Sequence, residues 1–214
     1  LANWDFHVTP ESGGATIFNV FFTQWTVQVA RARFEPAEAR FVTPGVSGCA
    51  ARLLTADQHG WFENEDRLAI IAQSFQETID ELTQSLGDSV SDWKWGDLHT
   101  MPLRHVLSSR GDLAGLLDHG GAGVRGDMGT ICNSGGGVRW TAASGAGYRM
   151  LADLAITPPV LYAVDGQSQS GAPGSEHYSD QYPTWLAGQY HTIHLDPSEA
   201  HGSAVSCFTI EPEE

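Results

Sequence analysis

The stretch "EDRLAIIAQSFQETIDELTQSLG", Glu65 to Gly87, decides how the first half of this chain folds. Leu68, Ile71, Ala72, Phe75, Ile79, Leu82 and Leu86 recur at steps of three and four residues. That spacing lines up one apolar stripe on an α-helix over 65–86. Asn64 stands where an N-cap belongs, and Gly87 where a left-handed C-terminal cap belongs. Upstream, residues 12–34 form the most hydrophobic segment, with Ser12 as a helix cap. Its apolar residues Ile17, Val20, Phe21, Phe22, Trp25, Val27 and Val29 cover most of the circumference, so this helix is buried on several sides. Pro36 and Pro44 bracket an expected loop, and "SGCAARLLTAD" (Ser47–Asp57) makes a short helix after it.

Past Gly87 the character changes. "SDWKWGDLHTMPLRHVL" is aromatic and loop-like, with a short helix expected to start near Pro102. Residues 111–123 are rich in glycine. From there short β-type runs alternate with turn residues: "GTICNS", "VRWTA", "YRMLADLA", "PVLYAVD", "YHTIHL" and "SAVSCFTIEP". "SGGG" (Ser134–Gly137) and "SGAG" (Ser144–Gly147) are expected to separate the first three. The fold class is therefore α+β: a mainly helical segment over 1–110 and a mainly β segment over 111–214.

Composition excludes several function classes. The chain has 214 residues, 41% of them hydrophobic, which is enough for a sizeable core. Its formal net charge is −15, from 26 acidic and 11 basic residues, with Lys94 the only lysine. A phosphate backbone needs a basic patch, so nucleic acid is not an expected partner. No apolar run reaches the length of a membrane span, so neither is a membrane. Cys49, Cys132 and Cys207 allow one disulfide with a free thiol, or three buried thiols. The opening "LANWDFHVTP" starts on Leu1 and reads as the interior of a longer, processed precursor.

No self-contained reactive centre emerges from spacing. "HTIHLDPSEAH" holds His191, His194 and His201, but on a strand His191 and His194 point to opposite faces, so ordinary histidines are expected there. "GQSQSG" (Gly166–Gly171) and "AASGAG" (Ala142–Gly147) both miss the G-x-S-x-G spacing of a nucleophilic serine elbow. "DHGGAGVRGDMGT" (Asp118–Thr130) is glycine-rich but lacks the Lys-Ser/Thr end of a phosphate loop. Trp93, Trp95 and His99 are set to stack a sugar or base, or to plug the junction between the long helix and the β half; packing is favoured.

Four segments add something more specific. "SDWKWGDLH" (Ser91–His99), "GDMGTICNSG" (Gly126–Gly135), "SGAGYRMLADL" (Ser144–Leu154) and "QSGAPGSEHYSDQYPTWLAGQY" (Gln169–Tyr190) occur in this order. Together they resemble the C-terminal part of the β subunit of the penicillin amidase (penicillin acylase) family, which includes acyl-homoserine-lactone acylases. The opening "LANWDF" with "SGGATIFNVFF" is similar as well, so the resemblance covers nearly the whole chain.

The resemblance implies an N-terminal-nucleophile hydrolase with an αββα sandwich and helical insertions, the two segments 1–110 and 111–214 being parts of one larger domain shared with other chains. In such an enzyme a freed N-terminal Ser attacks an amide, with its own α-amine as base, and an acyl-enzyme forms. The nucleophile, the oxyanion Asn and the calcium ligands of the family lie upstream of the segment matched by residue 1. Leu1 cannot be the nucleophile, so no catalytic residue, cofactor-binding residue or metal ligand is carried over to this chain. Glu176 and Ser179 stand where the family usually has Pro and Asp. The implied partners are the α subunit, the N-terminal part of the β subunit and a small N-acyl substrate, in a periplasmic or secreted enzyme. Pro173 and the neighbouring glycines are expected to fix turns, while His177, Tyr178, Asp180 and Gln181 tie polar groups across the core. The competing expectation, from the many aromatics, is a carbohydrate-binding module with an exposed Trp and Tyr strip.

Overall fold

The computed structural model describes residues 1–57, 59–63, 65–136 and 139–212. They form two compact units, Leu1–His99 and Thr100–Glu214.

The first unit is helical. Helix α1 (Gly13–Arg31) begins as expected at Ser12, whose hydroxyl accepts from the Ala15 N–H. Its circumference is covered nearly all round: from Gly13 to Ala30 only Thr23 is exposed. Where a loop was expected between the two prolines, Pro36 instead opens helix α2 (Pro36–Val42), and Pro44 lies in a single 3-10 turn. Proline suits the first turn of a helix, where its missing N–H has no partner to lose. Glu35 and Glu38 add a reciprocal capping box. Helix α3 (Ser47–Leu53) follows, then the long helix α4 (Arg67–Leu86).

The cap of α4 is Asp66, whose carboxylate accepts from the Leu68 and Ala69 N–H groups. The alternative cap Asn64 lies outside the described residues. Gly87 ends the helix at φ 91° and ψ 176°, a positive-φ extended conformation rather than the left-handed one, and equally a glycine conformation. The buried line of α4 is Ser74, Thr78 and Leu82, packed against α1. The small hydroxyls bond back to the carbonyls of Ile70 and Ser74, so they let the two helices approach without leaving a donor unpaired. Much of the apolar stripe is left uncovered: Leu68 is 64% and Phe75 40% exposed.

The core of this unit is Phe21, Trp25, Val29, Ala50, Leu53 and Phe62. Indole N–H groups pin its parts together: Trp25 donates to the Ala50 carbonyl at 2.8 Å, and Trp61 to that of Val29 at 2.8 Å. Trp93, Trp95 and His99 are all buried within this unit, around the short helix α5 (Trp95–Leu98). The Trp93 indole donates to the Gly87 carbonyl at 2.8 Å, and the Trp95 and His99 rings stack at 4.5 Å. The Gly96 N–H reaches the Pro10 carbonyl at 2.7 Å, tying this turn to the chain just before α1.

The second unit holds the strands. Pro102 does not open a helix; it lies in strand β1 (Thr100–Leu103) at a register irregularity against Gly-rich β2 (His119–Gly123). A bulge of this kind is where a ladder tolerates a residue with no N–H. Between them runs helix α6 (Gly111–Leu117). The stretches "SGGG" and "SGAG" are not separators. Ser134–Gly136 is strand β3 and Ala142–Gly145 is strand β4, paired antiparallel. "GTICNS" and "VRWTA" instead supply most of their flanks; Gly137 and Val138 lie outside the described residues.

Three runs match the expectation. Strands β5 (Arg149–Asp153), β6 (Val160–Val164) and β7 (His191–Ile193) make one antiparallel sheet in the order β5-β6-β7. Helix α7 (Tyr182–Ala187) lies between β6 and β7 in sequence, and α8 (Pro197–Ser203) follows β7. The run "SAVSCFTIEP" is not a strand; from Ala204 to Pro212 the chain is irregular and exposed. The core here is Met101, Val124, Ala142, Val164 and Trp185.

Candidate functional site

The second unit gathers the polar constellation of the chain around the loop that joins β6 to α7. Trp185 is its centre. Its indole donates to the Ala146 carbonyl at 2.8 Å, and its own carbonyl accepts from the Arg149 guanidinium at 2.9 Å. The same guanidinium carbon sits 4.1 Å from the Trp185 ring centroid. Arg149 is buried, and burial pulls its pKa below the ordinary guanidinium value, opposed by Cys132 and Tyr190. A cation over an indole face in a desolvated setting contributes about 2 kcal/mol. Sequence reasoning did not single out Arg149. The available signal was a lone basic residue inside the largely apolar run "YRMLADLA".

The expected lock divides in two. Tyr178 and Gln181 tie polar groups as foreseen. The Tyr178 hydroxyl donates to the Leu117 carbonyl at 2.9 Å, and its ring meets His119 edge-on at 4.5 Å. The Gln181 side-chain oxygen accepts from the Asp165 N–H at 3.1 Å. His177 and Asp180, by contrast, are exposed and do not cross the core. They form a surface pair, with Nδ1 of His177 2.7 Å from Asp180 Oδ2. The Asp180 hydrogen bond, then its charge, raises the His177 pKa. Bonds from Ser168 and then His177 hold Asp180 below the usual carboxylate range.

Ser168, His177 and Asp180 thus meet, but not as a nucleophile. The Ser168 hydroxyl donates to the Asp180 carboxylate and to the His177 carbonyl. The carboxylate sits between serine and imidazole, so the ring has no access to the serine proton. An activated serine requires the reverse order. The second serine of this loop, Ser170, accepts from the Ala172 N–H at 3.2 Å and makes a local turn.

Elsewhere the histidine-rich segment behaves as ordinary surface. His191 and His194 are exposed, and His194 pairs with Glu199 at 3.3 Å. Among the described residues no three His, Cys, Asp or Glu side chains gather into a metal ligand set. Cys49 and Cys132 are half-buried free thiols and Cys207 is an exposed one, so neither reading of the cysteines made from sequence holds. Each of the seven tryptophans is buried or half-buried, while Tyr148 is exposed.

Comparison with known proteins adds what the geometry alone does not. The profile of the family described as penicillin amidase matches residues 1–202. An acyl-homoserine lactone acylase QuiP from Pseudomonas aeruginosa is 26% identical over 224 aligned residues, which cover 92% of this chain and 26% of that protein. QuiP from Pseudomonas syringae pv. syringae is 31% identical over 139 residues, covering 61% of this chain and 16% of its own length. The chain thus spans about a quarter of the length of the curated relatives it matches. Among solved structures, a thermostable penicillin G acylase from Alcaligenes faecalis aligns with a TM-score of 0.50 and 12% identity. That alignment covers 95% of this chain and 39% of that one.

Proposed function

This chain belongs to the penicillin amidase family, and from that premise we propose that it is the C-terminal part of an acylase β subunit whose nucleophile lies on another segment. The α+β fold and the acylase relatives support an amide-hydrolysing enzyme. The observation that carries the division of labour is chemical. The Ser168 hydroxyl is turned to the Asp180 carboxylate and the Ser170 oxygen to the Ala172 N–H, so neither serine is hydrogen-bonded to an activating base.

In the proposed reaction an N-terminal Ser of the partner segment attacks the amide carbonyl, and its α-amine takes the hydroxyl proton. The tetrahedral oxyanion is held by backbone N–H groups and an Asn side chain outside these residues. The amine leaves with the proton, and water then cleaves the acyl ester to release the acid. The present chain supplies rigidity rather than a reacting group. The Arg149–Trp185–Ala146 and Tyr178–Leu117 bonds fix the second unit. The uncovered stripe on α4 and the apolar side chains Met150, Leu151 and Leu154 on and after β5 offer the rest of the precursor surfaces to bury.

Because the relatives are acyl-homoserine lactone acylases, an N-acyl-homoserine lactone is the first substrate to try, with the side-chain amide of a β-lactam the second. The partners are the remaining pieces of the precursor, in a periplasmic or secreted enzyme. The test is hydrolysis by the native protein, followed by mass spectrometry. Release of free homoserine lactone, or of the β-lactam nucleus, with the matching acid is expected. Intact substrates of both classes, or opening of the lactone ring with the amide preserved, would overturn the proposal.

A further inference from the structure

We propose that the second unit carries a binding pocket for a small oxyanion, one bearing a carboxylate or a phosphate group. The pocket has a volume of about 260 Å³, at the small end for ligand cavities. Three stretches far apart in sequence build it: the segment after β1, the start of β2, and the loop from Gln167 to Gly171 together with Tyr178.

Its lining is rich in donors and contains no acidic side chain. Arg104, His105, His119, Gln167 and Ser170 all face it, in a chain where acidic residues outnumber basic ones 26 to 11. Among the described residues Arg104 makes no ion pair and no side-chain hydrogen bond. Its fork of N–H groups is therefore available, and a guanidinium matches carboxylate or phosphate in a two-point contact.

His105 is set as a second donor. Its Nδ1 accepts from the Leu107 N–H at 3.1 Å, which leaves the proton of the neutral ring on Nε2. Its own backbone N–H is anchored to Asp118 at 2.9 Å. The Ser170 oxygen already accepts from Ala172, so its hydroxyl proton remains to be given. In the wall, His119 Nε2 is buried and has no hydrogen-bond partner, a polar capacity the fold leaves unused.

The carboxylates beside the pocket already accept hydrogen bonds, and Asp118 also attracts Arg104 and His105 through its charge without forming an ion pair with either. Asp118 accepts from the His105 N–H and the Ser108 hydroxyl, and Asp180 from Ser168 and His177. Neither lines the cavity. An anion entering it meets donors on the segment after β1 and on the Gln167–Gly171 loop and displaces no existing ion pair.

Calorimetric titration of the native protein at low ionic strength tests this, with inorganic phosphate in one series and acetate in another. A saturable, one-to-one response to at least one anion is expected. Response to phosphate alone assigns the phosphate type, and response to acetate alone the carboxylate type. Arg104→Gln should weaken binding tenfold or more and His105→Gln at least threefold, while Arg40→Gln, an exposed change on α2, should leave it intact. Arg104 is exposed and unpaired, so its replacement spares the fold, and His105→Gln gives an independent second reading. No saturation by either anion, or unchanged affinity in both pocket variants, would overturn the proposal.

Discussion

At the scale of single residues, the account rests on groups whose partners are few and named. Tyr178→Phe keeps the edge-on contact with His119 and removes only the hydroxyl bond to Leu117. It should cost about 1 kcal/mol in denaturant unfolding of the native protein. Gly126 is a sharper case. Its φ is 85°, and a Cβ there would sit 1.8 Å from the Cys132 carbonyl oxygen. Gly126→Ala should therefore cost more than about 2 kcal/mol in the same measurement, because backbone rather than a flexible side chain would have to move. The His177–Asp180 pair sets a pH dependence whose sign can be worked out. The His177 pKa is raised in the folded state, so its contribution is full below about pH 6.5 and is lost as pH climbs through the raised value. The Asp180 pKa is lowered, so its contribution is full above about pH 4 and is lost as pH falls through the depressed value. Asp180→Asn should return the His177 titration, followed by NMR, towards about pH 6.5. It should also narrow the stability gap from wild type as pH rises through the wild-type His177 titration.

At the scale of elements, the helices were legible because their apolar spacing survives in side chains that pack. The cap of α4 shows the limit. Asn64 and Asp66 both suit the position, and the choice turns on which backbone N–H groups the oxygen meets, here those of Leu68 and Ala69. Asp66→Ala should destabilise the native protein by about 1 kcal/mol by thermal or denaturant unfolding. The strands divide by composition. β5 and β6 carry Val, Leu, Met and Tyr and announce themselves. β3 and β4 are built from Ser, Gly and Ala, so no alternation of side chains marks them, and the sequence there reads as turn. Their pairing is made by the backbone with one side-chain bond, Ser144 to the Gly135 carbonyl, and Ala142 is the small residue that enters the core. The candidate site was legible in part for the same reason. The Gln169–Tyr190 loop stood out by residue type, whereas Arg149, Arg104 and His119 acquire their meaning only when distant segments meet.

At the scale of the molecule, the chain carries buried cores together with broad apolar surface on α4 and β5 that nothing among the described residues covers. No helix of the described residues is long and apolar enough to cross a membrane, so those surfaces are not a helical span. Their cover, on the proposal above, is the remainder of an acylase about four times as long. The central claim is that this chain frames the reaction without performing it. Its most direct test is to trap the acyl-enzyme in the native protein with a slowly deacylating amide substrate and to locate the acylated residue by peptide mass spectrometry. The account predicts an adduct on an N-terminal serine that is not among residues 1–214; an acyl group on Ser168, Ser170 or any other residue of this chain would contradict it.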